Sequence, residues 1–400
     1  MLRRLAHLCH DRLPCSSTST EQVVRSCSGL AALGVQVDLF FRGSGLAVRH
    51  FAGPDPALRE EVAEAYGFAA GLPDALRLVP VPGGAVLRGP AGIGVWEARA
   101  ARLARGGAYD LVCTRDLVAL AWSLAAGSRS VFETYRADLQ SVPWLGPWRR
   151  YCYRHPKLAG ILVHSRLAGR SVVEAGADER RVLVAFNGYA PEHLEPRLGR
   201  DEARALLGLP RDTPLVVYAG HVGRAKGLDA VAGLAAAVPE ALFLAVGAVP
   251  GSEGEREAID AATRAGAVNL RVLPRVPPAR VPVYLFAADC LLIPPTAGPL
   301  VRHGRTVLPM KTFLYLAAGR PILAPDLPDL VEVLANGRTA ALVPPDDTPA
   351  AAATLRRILG DRCLRESLSG GAVDAARCYT WESRSRRVKA FLEAPATTER

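Results

Sequence analysis

The sequence predicts an α/β protein of two parallel-sheet domains, and three observations carry that expectation. The chain has 400 residues, half of them hydrophobic, which is enough for two cores of ordinary size. Short Val- and Leu-rich runs alternate with Ala- and Arg-rich stretches of helical period, the pattern of βα units. The order strand, loop, helix, strand opens the chain and returns near its middle, as the start of each domain requires.

In chain order, residues 2–9 read as a strand, and His10 to Ser19 as the loop that leaves it. Thr18-x-x-Glu21 predicts a capping box, and Val23, Val24, Cys27, Leu30 and Ala31 give the next helix an apolar face. Gly34 ends it before the strand Val35 to Phe41. Ser17 and Thr18 lie at the strand end where a ligand is met in such domains; a polar loop with a helix cap accounts for them equally. Residues 44–107 alternate Pro/Gly turns with helical runs and offer no site. Strands at Tyr109 to Arg115 and Ser130 to Tyr135 both end in polar residues. Pro143 to Lys157 is the densest aromatic and basic segment, and it has two readings. It is an interfacial anchor for an anionic membrane, or its aromatics pack on the protein's own core. Ala159 to Ser165 runs from strand into helix, and Arg181 to Gly188 closes the first domain. Asn187-Gly188 suits a sharp chain reversal there.

The second domain opens with the strand Pro214 to Gly220, which runs into His221-Val-Gly-Arg-Ala-Lys-Gly-Leu-Asp229. A strand, a glycine-bearing turn and a helix starting near Lys226 or Gly227 form a phosphate cradle. Glycines let the backbone approach, N–H groups point outward, and His221, Arg224 and Lys226 offer positive charge. Strands follow at 241–246, 268–273 and 288–294. A short helix from about Met310 to Ala318, stopped by Gly319, leads into the strand Pro321 to Ala324. Lys311 stands in its first turn, where an anion is favoured. Lysine occurs only at 157, 226, 311 and 389, so two of four fall on expected phosphate contacts. The expected domains are 1–190 and 191–379, with a terminal helix at 380–394.

A net charge of +10 favours anionic partners, but its arginines are scattered along helices rather than gathered in an arm, so nucleic acid is not expected. The eight cysteines form no C-x-x-C pair and no metal-ligand spacing, and they read as buried free thiols of a reducing compartment. His7, His10 and Asp11 break the apolar run after Met1 too soon for an export signal. The expected location is therefore cytoplasmic, with segment 143–157 a candidate for contact with the inner membrane face. No G-x-G-x-x-G follows the first strand, which disfavours a nicotinamide dehydrogenase.

Several motifs resemble the group 1 retaining glycosyltransferases of GT-B architecture. Pro309, Lys311, Phe313, Tyr315, Ala317, Ala318, Gly319, Pro321 and Ile322 match that family's most characteristic segment in register. Tyr218, Gly220, Lys226, Gly227 and Asp229 match its Y-x-G-x-x-x-x-x-K-G-x-D segment, and Arg115, Glu133 and Asn187-Gly188 match shorter strand ends. The resemblance implies two Rossmann-like domains facing each other across a cleft, with the terminal helix crossing back to the first. It implies a nucleotide-sugar of UDP or GDP type held mainly by the second domain. The acceptor, a saccharide, lipid-linked or small molecule, falls to the first. Sugar transfer would retain configuration, with no metal and no cofactor. His221 and Lys226 take the diphosphate and, with Tyr135, the catalytic positions; Gly220, Gly227, Arg275, Val276 and Lys311 complete the donor site. Arg224 is added from its charge alone. Ser17, Thr18 and Arg115 fall on the acceptor side. The family's paired glutamates fall at Thr306 and Leu314, and Tyr135 stands in place of its sugar-facing histidine. A homologue without catalysis, acting as partner to another transferase, is the alternative.

Overall fold

The computed structural model describes residues 1–43, 55–82, 94–135, 146–298 and 308–394. The chain divides into two units, Met1–Asn187 with Trp381–Arg400, and Gly188–Thr380.

The first unit is built on a parallel sheet of seven strands: β1 (Arg4–Cys9), β2 (Gln36–Gly43), β3 (Leu76–Pro82), β4 (Leu111–Thr114), β5 (Ser130–Thr134), β6 (Leu158–Val163) and β7 (Val182–Val184). Their spatial order is β3-β2-β1-β4-β5-β6-β7. β4 and β5 are buried along their whole length, as expected where helices cover both faces. Alternate residues divide between the faces. Leu5, Val37, Leu39, Leu111 and Val131 pack with the helices Thr18–Ala32, Pro56–Tyr66 and Trp381–Glu393. Leu8, Phe40 and Val112 pack with Val95–Gly106 on the opposite face. There Phe132, Ile161 and Val163 meet Leu117–Ala125, Gly146–Arg154 and Arg166–Glu174.

The expected capping box at Thr18 is not formed. Ser17 is the N-cap, extended at φ −72° and ψ 125°, so Thr18 already lies inside the helix. No side chain caps this end; the Ser17 carbonyl accepts from the Thr20 and Glu21 N–H groups, both at 3.1 Å. The C-terminal helix lies against Thr18–Ala32, and a Cβ on Gly29 would stand 2.1 Å from Ser385 Oγ. A larger residue at Gly29 would force Ser385 to shift.

The second unit carries β8 (Leu215–Ala219), β9 (Leu242–Ala248), β10 (Leu270–Pro274), β11 (Cys290–Leu292), β12 (Ile322–Pro325) and β13 (Ala341–Val343), in the parallel order β10-β9-β8-β11-β12-β13. Its entry helix, Arg200–Leu207, is fixed by Arg204, whose side chain is 1% exposed. Arg204 donates to Asp289 Oδ2 at 2.6 Å and to the carbonyls of Ala287, Pro210, Arg211 and Thr213, so nearly every donor of the buried guanidinium is used.

Five cysteines are buried, but Cys15 is partly exposed and Cys363 and Cys378 are exposed, so burial of all eight was an overstatement. Among the described residues no helix is long and apolar enough to cross a membrane. In the aromatic–basic segment, residues 143–145 lie outside the described residues and 146–154 form a helix. Tyr153 and Cys152 enter the core, whereas Trp148 and Tyr151 are exposed. Core packing therefore explains only part of this segment's aromatic content.

Candidate active site

In the second unit the chain continues from β8 to β9 and β10 on one side, then returns to place β11 on the other. Gly220 leaves β8 at this switch point, where the strand ends part and an open α/β sheet takes its ligand. Its N–H donates to Val246 O at 2.9 Å, and its φ of 145° is one that L side chains rarely adopt. The strand beside it comes close: a Cβ on Gly247 would lie 2.1 Å from Gly220 O. Gly247→Ala is expected to displace the Gly220 turn and cost the second unit about 1–3 kcal/mol. Thermal unfolding read by circular dichroism checks this, and an unchanged transition would refute it.

After Gly220 a 3-10 turn, Arg224–Lys226, leads through Gly227 (φ 82°) into the helix Leu228–Ala237. This helix starts slightly later than the sequence suggests, and no side chain caps it. Its first N–H groups and the positive end of its dipole are therefore open to an anion. Lys311 opens the helix Lys311–Ala318, and its Nζ stands 3.5 Å from the centroid of the Tyr218 ring. A Cβ on Gly220 would come within 2.7 Å of that Nζ, so the missing side chain makes room for the ammonium. Burial, and secondly the charge of Lys226, hold the Lys311 pKa well below its ordinary value. Two ammonium groups thus share one end of the sheet, and neither is ion-paired to a carboxylate of the described residues. Tyr218 and Tyr315 steady the strand end beneath them: Tyr218 donates to His221 O at 2.5 Å, and Tyr315 Oη accepts from Ala219 N at 2.7 Å.

The other expected donor contacts are spread more widely. His221 is exposed next to Gly220. Arg224 forms an ion pair with Asp229 at 3.3 Å, and its N–H donates to Glu257 Oε2 at 2.8 Å. Arg275 and Val276 follow the edge strand β10, two strands from β8. The Arg275 N–H is taken by Ala248 O at 2.7 Å. The structure thus brings together Gly220, Lys226, Gly227 and Lys311, and leaves Arg275 and Val276 apart. Leu314, partly exposed, is one turn along from Lys311 on the same helix; Thr306 lies outside the described residues.

In the first unit Arg115 and Tyr135 join a buried polar cluster at the ends of β4, β5 and β6. The Tyr135 ring stacks on His164 with centroids 5.9 Å apart, and the Arg115 guanidinium lies 4.7 Å from its centre. Arg115 also donates to Ser19 O at 3.1 Å and to Gln22 Oε1. Gln22 in turn donates to Glu133 Oε1 at 2.7 Å. Glu133 further binds Arg384 of the C-terminal helix, and His164 Nε2 lies 3.3 Å away. Burial alone would raise the Glu133 pKa; Arg384, His164 and Arg115 overcome it and hold the carboxyl far below its usual range. Ser17, the N-cap, is partly buried, and Thr18 is exposed in the first turn of the helix Thr18–Ala32. Gln22, His164 and Arg384 carry no sequence motif that gives them away, because each meets Glu133 from a distant segment. Tyr218 was legible as the tyrosine of Y-x-G.

Two doubly wound parallel units in one chain, with a cation-lined switch point in the second, define the GT-B class of protein. Residues 213–361 match the family described as glycosyl transferases group 1. The chain is 28% identical over 404 residues to D-inositol 3-phosphate glycosyltransferase 1 of Catenulispora acidiphila, covering 93% of this chain and 89% of that protein. It is 26% identical over 376 residues to the phosphatidyl-myo-inositol mannosyltransferase of Mycobacterium leprae, covering 89% and 90%. Anabaena HepE, solved in complex with UDP and glucose, shares the fold with a TM-score of 0.72 at 13% identity, covering 99% of this chain and 100% of that one. The chain is thus a glycosyltransferase of GT-B fold whose residues 213–361 carry the group 1 match.

Proposed function

We propose that this glycosyltransferase moves a sugar from a nucleotide-sugar of UDP or GDP type, with retention at the anomeric carbon. The observation that carries the reading is the Lys226–Lys311 pair beside the open N-terminus of Leu228–Ala237. A diphosphate laid there would meet both ammonium groups and the helix N–H groups. The same contacts oppose the charge that builds on the leaving diphosphate as the glycosidic bond breaks. In this reading those cations do the neutralising, so the reaction draws on no metal and no resident cofactor. His221 is placed to add a donor beside Gly220. Arg115, Ser17 and Thr18 are the acceptor-side groups, and Tyr135 takes a catalytic position with His221 and Lys226.

The two curated relatives are named for inositol phosphate and phosphatidylinositol acceptors, and this favours a phosphorylated cyclitol or its lipid-linked form here. Calorimetric titration with UDP, GDP and their sugar conjugates tests the donor. One nucleotide should bind, and Lys226→Ala should weaken it at least about tenfold. No binding of any nucleotide by the wild type would overturn the reading. Leu314 supports a second one, since leucine cannot accept a hydrogen bond from a ribose hydroxyl. Nucleotide binding without transfer to any inositol, inositol phosphate or phosphatidylinositol acceptor would select a catalytically silent partner protein.

A further inference from the structure

The two helical layers of the first unit differ in charge. The layer formed by Val95–Gly106, Leu117–Ala125, Gly146–Arg154 and Arg166–Glu174 carries eight arginines against two acids, Glu97 and Glu174. Glu97 is buried and paired with His10 at 2.5 Å, so its charge is not offered outward. The opposite layer, Thr18–Ala32, Pro56–Tyr66 and Trp381–Glu393, carries six basic and six acidic residues. One face of the sheet is thus covered by a net six positive charges and the other by none.

The exposed aromatic residues follow the same division. Among the described residues of the first unit, apart from Met1, the large hydrophobic side chains that stand exposed are Trp122 (45%), Trp148 (48%) and Tyr151 (44%). All three are aromatic, and all three belong to the positive layer. Leu117–Ala125 and Gly146–Arg154 pack side by side on the sheet, so their outer residues share one surface. On Gly146–Arg154 the inward positions Cys152 and Tyr153 are buried, while Trp148 and Tyr151 stand one turn apart on the outer side with Arg150 and Arg154 beside them.

Exposed Trp and Tyr cost solvation in water but suit the headgroup region of a bilayer, where the ring is buried and its polar edge stays wet. Arginines around them add attraction to anionic headgroups. We propose that this positive helical layer docks the protein on an anionic lipid surface, with Trp148 and Tyr151 entering the headgroup region and Arg150 and Arg154 binding lipid phosphates. The proposal is independent of the donor chemistry.

Co-sedimentation of the full chain with vesicles tests it. The wild type should bind vesicles rich in phosphatidylglycerol, bind pure phosphatidylcholine weakly, and lose affinity as salt rises. The pair R150E/R154E should weaken binding at least about tenfold and flatten the salt dependence. W148A/Y151A should weaken binding while leaving the salt dependence in place. R362E/R377E, the same charge change at two highly exposed sites of the second unit, should bind as wild type does. Wild type left in the supernatant with phosphatidylglycerol vesicles, or an equal loss in R362E/R377E, would overturn the proposal. So would binding of duplex DNA, through Arg150 and Arg154, more tightly than vesicles at the same salt.

Discussion

Arg384→Ala is expected to destabilise the first unit by about 3–5 kcal/mol, the largest loss from any single substitution considered. The side chains of Arg384 and Glu133 are 3% and 1% exposed, so removing the guanidinium strands a carboxylate in the interior. Arg384 also donates to Ser26 Oγ at 3.0 Å, which ties the C-terminal helix to Thr18–Ala32. All five tryptophans lie in the first unit, so denaturant unfolding followed by fluorescence reads this unit alone. A cost below about 1 kcal/mol would show that the pair contributes no more than a surface ion pair. Replacing both partners by apolar residues of similar size, R384M/E133L, should recover much of the loss, because no charge is then left buried. The same cluster sets an acid limit. Burial lowers the pKa values of His164 and of His7, which lies on β1 within reach of the charges of Glu133, Arg115 and Arg384, to about 4, while in the unfolded chain they titrate near 6.5. Between those values the unfolded state binds more protons, so stability falls as pH drops from about 6.5 towards 4. Glu133, whose folded pKa is depressed, continues the loss below its unfolded value of about 4.3.

Lys311→Met should weaken nucleotide diphosphate binding by about a hundredfold and leave the empty protein at least as stable as wild type. Both effects have one cause. With no anion bound, the Lys311 ammonium bears the cost of burial and of repulsion from Lys226, which is why its pKa lies well below the ordinary value. An arriving diphosphate raises that pKa, so binding takes up a proton wherever the free lysine is partly neutral. Affinity should therefore fall as pH rises from the lowered value of the free protein towards that of the complex. Calorimetry in buffers of different ionisation enthalpy measures the uptake, which should vanish in K311M. Equal affinity in K311M, or no buffer dependence across the alkaline range, would show that this ammonium does not meet the diphosphate.

The arrangement of Gly220, Lys226 and Gly227, and the place of Lys311 at a helix start, were legible because each is local. A strand, a glycine turn and a helix start lie in one run of residues, and Lys311 opens a second such run. Leu314 and Tyr135 were equally visible as departures from the family pattern, since a substitution shows in sequence whatever its surroundings. Other features are settled by long-range packing. Arg224 was added from its charge alone, and its pairing with Asp229 depends on how a 3-10 turn aims its side chains. Arg275 was placed by the family resemblance alone, and only sheet order shows that it follows the edge strand β10.

The sequence alone determined two α/β units, their order of elements and the glycine–lysine chemistry of the second, because periodicity, glycine turns and isolated lysines act over a few residues. The tertiary structure decided what depends on which distant residues meet. It gathered Gln22, His164 and Arg384 around Glu133, each close to neutral in meaning when read singly. It also sorted the scattered arginines by sheet face, which turns a diffuse excess of charge into one positive layer and one balanced one. Each of these requires the direction of a side chain relative to a sheet, and only the folded chain supplies that direction.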